Sequence, residues 1–100
     1  MRQSLLAAAA ILSGLISANA ATDPLAEGAK FYQRADYKGA LALWQPLAVQ
    51  GNPVVQNNLG VMYLDGKGVP QNMSEAVRYL SLAAAAGSSL GQNNLGGLYR

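Results

Sequence analysis

The side chains with chemistry to offer are few, and their spacing gathers none of them into a reactive set. The 100-residue chain holds no His and no Cys, five Asp and Glu, and seven Lys and Arg. Without imidazole or thiolate there is no thiol nucleophile, no histidine base, no disulfide framework and no zinc site built on those ligands. The acidic residues Asp23, Glu27, Asp36, Asp65 and Glu75 are scattered, whereas general acid–base work needs two groups placed either side of one substrate atom. Asp23 and Glu27 make the one close pair, and a first-turn position suits them better to the positive end of a helix dipole. Gly66-Lys67-Gly68 suggests a phosphate cradle but follows a helical pattern and lacks P-loop spacing, so it reads as an interhelical turn. Asn72-Met73-Ser74 matches the N-glycosylation acceptor pattern, yet the same Asn stands where a helix cap belongs and is read as one. The formal charge of +2 is too small to gather nucleic-acid phosphates. No catalytic residue, cofactor, metal or nucleic-acid partner is expected.

The elements that would position a binding surface begin after a leader. Arg2 gives a positive start, Leu5 to Ile16 is apolar apart from Ser13 and Gly14, and Ala18-Asn19-Ala20 is an A-x-A cleavage pattern before Ala21. Residues 1–20 therefore read as a helical secretory signal, too short to cross a bilayer core of about 30 Å. Cleavage leaves six basic and five acidic residues and no stable membrane insertion. The short Ala-rich signal points to export, most simply to a bacterial periplasm.

Beyond the leader the chain repeats itself at a shift of 36. Gln56-Asn57-Asn58-Leu59-Gly60 returns as Gln92-Asn93-Asn94-Leu95-Gly96, and Ala40, Ala48, Gly51 and Tyr63 return as Ala76, Ala84, Gly87 and Tyr99. A period of this length belongs to helix–turn–helix arrays, in which one hairpin buries its apolar face only when a neighbour stacks on it. The punctuation gives five helices in the order A-B-A-B-A. Asp23-Pro24 opens the first, which runs to about Arg34, and Asp36 opens the second, which stops at Gly51. Asn52-Pro53 opens the third, ending at Gly66. Asn72 with Glu75 predicts a capping box for the fourth, ending at Gly87, and Ser89 with Gln92 predicts another for the fifth. Pro46 falls inside the second helix, where it removes the bond to the Ala42 carbonyl and should bend the axis. Leu59, Met62 and Tyr63, and Ala76, Tyr79, Leu80 and Ala83, follow helical apolar spacing. Gly60 and Gly96 stand mid-helix, where both are expected to allow close approach of a neighbour.

The run from Asn58-Leu59-Gly60-Val61-Met62-Tyr63 through Asp65-Gly66-Lys67-Gly68-Val69-Pro70, with Ala76, Tyr79, Ala83-Ala84 and Gly87, resembles the Sel1-like repeat, a relative of the tetratricopeptide repeat. The resemblance covers one unit, residues 53–88, and the start of an incomplete one, 89–100. The first unit, residues 21–52, is closer to the tetratricopeptide form. Gly28 to Ala40 spans 12 residues where Gly60 to Ala76 spans 16, so its turn lacks the Gly-x-Gly-Val insertion. What the resemblance implies is an all-α fold, a right-handed α/α solenoid of helix–turn–helix repeats that binds proteins or peptides as a scaffold. It also leaves open an accessory or enzyme of cell-wall or polysaccharide metabolism or export. Relatives with claimed hydrolytic activity tend to carry paired cysteines, which this chain lacks.

On the third helix Asn57, Val61, Leu64 and Asp65 share a face distinct from Leu59 and Met62. By resemblance this face lines a concave groove, with Asn57, Val61, Asp65, Asn93 and Gly97 as the partner-binding residues. Asn57 and Asn93 either offer their amides to a partner's backbone or bond to a neighbouring helix, the commoner fate of a buried amide. Leu95, Leu98 and Tyr99 on the last helix expect a covering surface, from a longer array or from another molecule, self-association included.

Overall fold

In the computed structural model residues 23–100 are described; the leader helix expected over residues 1–20 and the cleavage residues Ala18, Ala20 and Ala21 lie outside them. Five helices follow one another: α1 (Pro24–Gln33), α2 (Tyr37–Val49), α3 (Pro53–Asp65), α4 (Met73–Ala85) and α5 (Ser89–Leu98). Each packs on the next, and α3 also touches α5. None of the described helices is long and apolar enough to cross a membrane.

Side-chain caps set the starts. Asp23 accepts from Leu25 N–H, Asp36 from Gly39 N–H, Asn52 from Val54 and Val55 N–H, Asn72 from Glu75 N–H and Ser88 from Gly91 N–H. Each satisfies a donor that the first turn leaves without an intrahelical acceptor. Two expectations are corrected here. The fifth helix is capped by Ser88 rather than Ser89, so Gln92 is free for another task. The capping box at Asn72 is half formed: Glu75 turns to Arg78 at 2.9 Å, while the Asn72 N–H donates to Tyr63 O at 2.9 Å.

Three of the helix ends share one geometry. After α2 the N–H of Asn52 donates to Leu47 O and that of Gly51 to Ala48 O; after α4 Ser88 N–H donates to Ala83 O and Gly87 N–H to Ala84 O. This pair of bonds needs a left-handed residue, which Gly51 (φ 95°) and Gly87 (φ 93°) supply without steric cost. The same pair closes α1, from Asp36 N–H to Phe31 O and Ala35 N–H to Tyr32 O, but here the left-handed residue is Ala35, φ 63°. The connection after α1 takes residues 34–36 whereas the one after α3 takes 66–72, the extra length expected of the second unit. Helix α2 runs through Pro46 without interruption.

The core is where the B-type helices meet the A-type ones. Ala40, Trp44, Ala48, Val55, Leu59 and Met62 form one buried cluster, and Ala76, Leu80 and Ala83 are fully buried from α4. Burying each of the larger aliphatics is worth about 1.5–3 kcal/mol. Close approach is built on glycine at two equivalent places. A Cβ on Gly28 would overlap the Trp44 indole, and one on Gly60 would stand 2.7 Å from Leu80. The expectation for Gly96 is corrected: a Cβ there would meet nothing within 4 Å, because no helix among the described residues lies on that side of α5.

Candidate partner-binding groove

Between α1 and α3 runs a groove of about 470 Å³. Its α1 wall carries Leu25, Ala26, Ala29, Tyr32 and Gln33, its α3 wall Val54, Asn58 and Val61, and Trp44 of α2 contributes from below. Trp44 is held in place rather than merely buried. Its indole N–H donates to Leu25 O at 3.2 Å, and its ring stacks on Tyr32 at 5.9 Å between centroids. Tyr32 in turn meets Tyr37 edge-on at 5.0 Å. Lys67, in the long α3–α4 connection, reaches back over both tyrosine rings at 5.7 and 5.5 Å. Beside Tyr32 first and Tyr37 second, its ammonium titrates above the ordinary lysine value. Gly68 packs so closely on Tyr37 that a Cβ would lie 2.8 Å from that side chain, so the inserted loop closes over the first unit's aromatic cluster.

Chemically the groove is an apolar trough with two amides in its walls, the exposed Gln33 and Asn58. Asn58 is half-buried and makes no side-chain hydrogen bond among the described residues. Asp23, at the rim, is occupied as the α1 cap. An apolar side chain fits between Ala29, Tyr32 and Val61, and a carboxamide can exchange a donor and an acceptor with one peptide unit. Among the described residues no group of three acidic side chains stands close enough to hold a metal ion.

The five residues expected to form the site are dispersed. Val61 lines the groove. Asn57 does not: it is 5 % exposed, and its Oδ1 accepts from Asn94 Nδ2 at 2.8 Å, the interhelical pairing of the two fates open to it. Asn93 and Gly97 are exposed on α5, and Asp65 is exposed at the end of α3; none of the three lines the groove.

Sequence reasoning passed over Ala29, Tyr32, Trp44, Val54 and Asn58. A signal for them was present. Gly28 and Gly60 occupy the same place under their B-type helices, a shift of 32 rather than 36. Aligning on them sets Ala29 opposite Val61 and Leu25 opposite Asn57. That register also explains why Asn58 has no side-chain partner among the described residues. Its counterpart Asn94 donates to Asn57, but toward α1 the corresponding acceptor position is Leu25, which has no amide. A second task was hidden in the repeated glutamines: Gln56 Nε2 donates to Ala48 O at 3.1 Å and Gln92 Nε2 to Ala84 O at 3.3 Å. Each ties an A-type helix to the carbonyl end of the B-type helix before it.

Residues 53–88 match the family model of the Sel1 repeat. Sel1 repeats are helical, related to tetratricopeptide repeats, generally mediate protein–protein interaction and are typically non-catalytic. No curated protein and no solved structure matches the chain.

Proposed function

The chain carries a Sel1 repeat, and from that premise we propose that it is a protein-interaction adaptor whose α1–α3 groove receives an extended peptide or segment of a partner protein. The observation that carries this reading is the Asn58 amide, without a side-chain hydrogen bond among the described residues, in the apolar trough that Tyr32, Ala29 and Val61 line. A binding trough of this kind takes its strength from apolar burial and its orientation from a few placed polar groups. The adaptor acts without catalysis, after export to a bacterial periplasm. The export reading rests on the pattern of residues 1–20, and a reporter enzyme active only outside the cytoplasm, fused after Arg100, would stay inactive if that reading were wrong.

The groove is tested by panning the full chain against a displayed library of random peptides and measuring the selected peptides by Trp44 fluorescence, Trp44 being the single tryptophan. Enrichment of peptides with a recurring apolar residue is expected, together with loss of binding in Val61→Asp and at least partial loss in Asn58→Ala. Asn57→Ala with Asn93→Ala should leave affinity unchanged in protein that remains folded. Failure to enrich, or enrichment indifferent to Val61→Asp, overturns the groove.

A further inference from the structure

The α1–α3 groove has a charge at each end, and the two are opposite. Its α1 wall runs from Asp23, Leu25 and Ala26 at the start of that helix to Tyr32 and Gln33 at its end. At the first end Asp23 is exposed; its Oδ1 accepts from Leu25 N–H, and a carboxylate has acceptor capacity beyond one such bond. At the other end Lys67 does not line the trough, but it sets its ammonium 5.7 Å from the ring centre of Tyr32, which does. Lys67 makes no ion pair among the described residues, and Asp65 acts on it as a neighbouring charge without pairing. The remaining charges of α1 are engaged elsewhere. Glu27 and Lys30 bond to each other at 3.3 Å, Arg34 lies over Phe31 at 4.9 Å, and none of the three lines the groove.

We propose that the groove selects a partner segment carrying a basic and an acidic side chain about four positions apart with an apolar side chain between them, the basic one toward Asp23 and the acidic one toward Lys67. This rests on the reading of the groove as a peptide site and names the chemistry it accepts. The spacing follows from the helix. Asp23 and Tyr32 are nine residues apart, about 13 Å along an α-helical axis, and an extended segment covers that distance in about four residues. Charge complementarity identifies the occupant. The trough lined by Ala29, Tyr32 and Val61 takes any apolar side chain that fits, so burial alone does not tell one segment from another. Opposite charges at a fixed separation do, because a segment with two like charges meets repulsion at one end. Side chains rather than backbone carry this match, so segments of either chain direction satisfy it.

The test pans the full chain against a displayed library of random peptides and measures the strongest selected peptide by Trp44 fluorescence, first intact and then with each charged residue replaced in turn by glutamine. A recurring pattern of basic, apolar and acidic residues at the stated spacing is expected. Each replacement should weaken binding by about two- to fivefold at low ionic strength, the range of an exposed ion pair, and by much less in about 1 M salt, where charges are screened beyond about 3 Å. Lys67→Met keeps an unbranched stem over the tyrosine rings and removes the charge; in that chain replacing the acidic residue should cost nothing, while replacing the basic one still costs. Asp23→Asn keeps a good helix cap and should abolish the cost of replacing the basic residue alone. Should Lys67→Met alter the near-ultraviolet circular dichroism of the aromatic cluster, the Asp23→Asn comparison and the peptide replacements decide the matter. Selected peptides that share an apolar residue but no such charge pattern, or charge effects that persist in the variant lacking the matching charge, overturn this proposal and leave the groove standing. Failure to enrich any peptide overturns both.

Discussion

Asn94 donates its side-chain amide to the Oδ1 of Asn57 at 2.8 Å, joining α5 to α3 through two residues 37 positions apart. The bond divides the molecule's seams into two kinds. The α3–α5 seam is closed by a paired amide, while the α1–α3 seam has Leu25 where the acceptor would stand and stays open as the groove. Removing the donor while leaving the acceptor buried should cost its desolvation, about 1–3 kcal/mol. Asn94→Ala is therefore expected to lower the urea midpoint clearly and to raise hydrogen exchange in α5. Asn93→Ala, at an exposed position, should stay within about 0.5 kcal/mol of the parent.

Gly60 and Gly96 are equivalent in sequence and opposite in environment, so the same substitution should change stability in opposite directions. At Gly60 a methyl group would press on Leu80, a buried side chain with nowhere to retreat. The overpacking, about 1–3 kcal/mol, outweighs the helix-propensity gain of about 1 kcal/mol, and Gly60→Ala should unfold at lower urea. Gly96→Ala meets nothing within 4 Å and keeps the propensity gain alone. Equal signs for the two variants in urea titration would contradict the environments described.

The caps and turns were legible in the sequence because they are local. Asp23, Asp36, Asn52 and Asn72 announce helix starts through one short side chain bonding two or three residues on, and Gly51, Gly66 and Gly87 announce ends through a conformation that glycine adopts freely. Ala35 was not legible: its residue type argues against the left-handed conformation that the tertiary packing of α1 on α2 imposes. The site was less legible still. Asn57 has the spacing of a groove residue on an isolated helix, and only the register of α5 against α3 brings Asn94 onto it. Trp44 and Tyr32 reach the groove from elements that the 36-residue shift does not align with α3. Such contacts depend on where helices cross, which the residues of one helix do not specify.

Ala35 holds a φ of 63°, a conformation that costs a non-glycine residue about 1–2 kcal/mol. Glycine removes that strain but loses more chain entropy on folding, about 0.5–1 kcal/mol. Ala35→Gly should raise stability by about 0.5–1 kcal/mol, and Gly87→Ala, where a methyl group meets nothing within 4 Å, should lower it by a similar amount. Thermal unfolding of the two variants against the parent reads both.

Glu75 titrates below the ordinary glutamate value because the Arg78 guanidinium hydrogen-bonds its carboxylate. A carboxylate whose value falls on folding stabilises the fold above its unfolded value, about 4.3, and that contribution is lost as pH falls through the lower folded value. Glu75→Gln should accordingly narrow the stability difference between pH 7 and pH 3. Both side chains are substantially exposed, so added salt should reduce the effect.

Gln56 is 5 % exposed; its Nε2 donates to Ala48 O, and its Oε1 is buried with no partner among the described residues. Gln56→Glu keeps the shape and removes the donor. The ionised side chain would set a carboxylate against the Ala48 carbonyl in an apolar setting, at a cost of at least about 2 kcal/mol at pH 7. Protonation restores a group that donates to that carbonyl. Burial raises the folded-state value of the new carboxyl above its unfolded one, so the destabilisation should be complete above the folded value and shrink as pH falls through it, opposite in sign to the acid behaviour of Glu75. The exposed counterpart Gln92 makes the control: Gln92→Glu leaves its carboxylate in water, and its urea midpoint relative to the parent should show little dependence on pH. A Gln56→Glu variant whose relative stability did not recover toward acid would mean that the side chain reaches water, and that the α2–α3 seam is looser than its hydrogen bond implies.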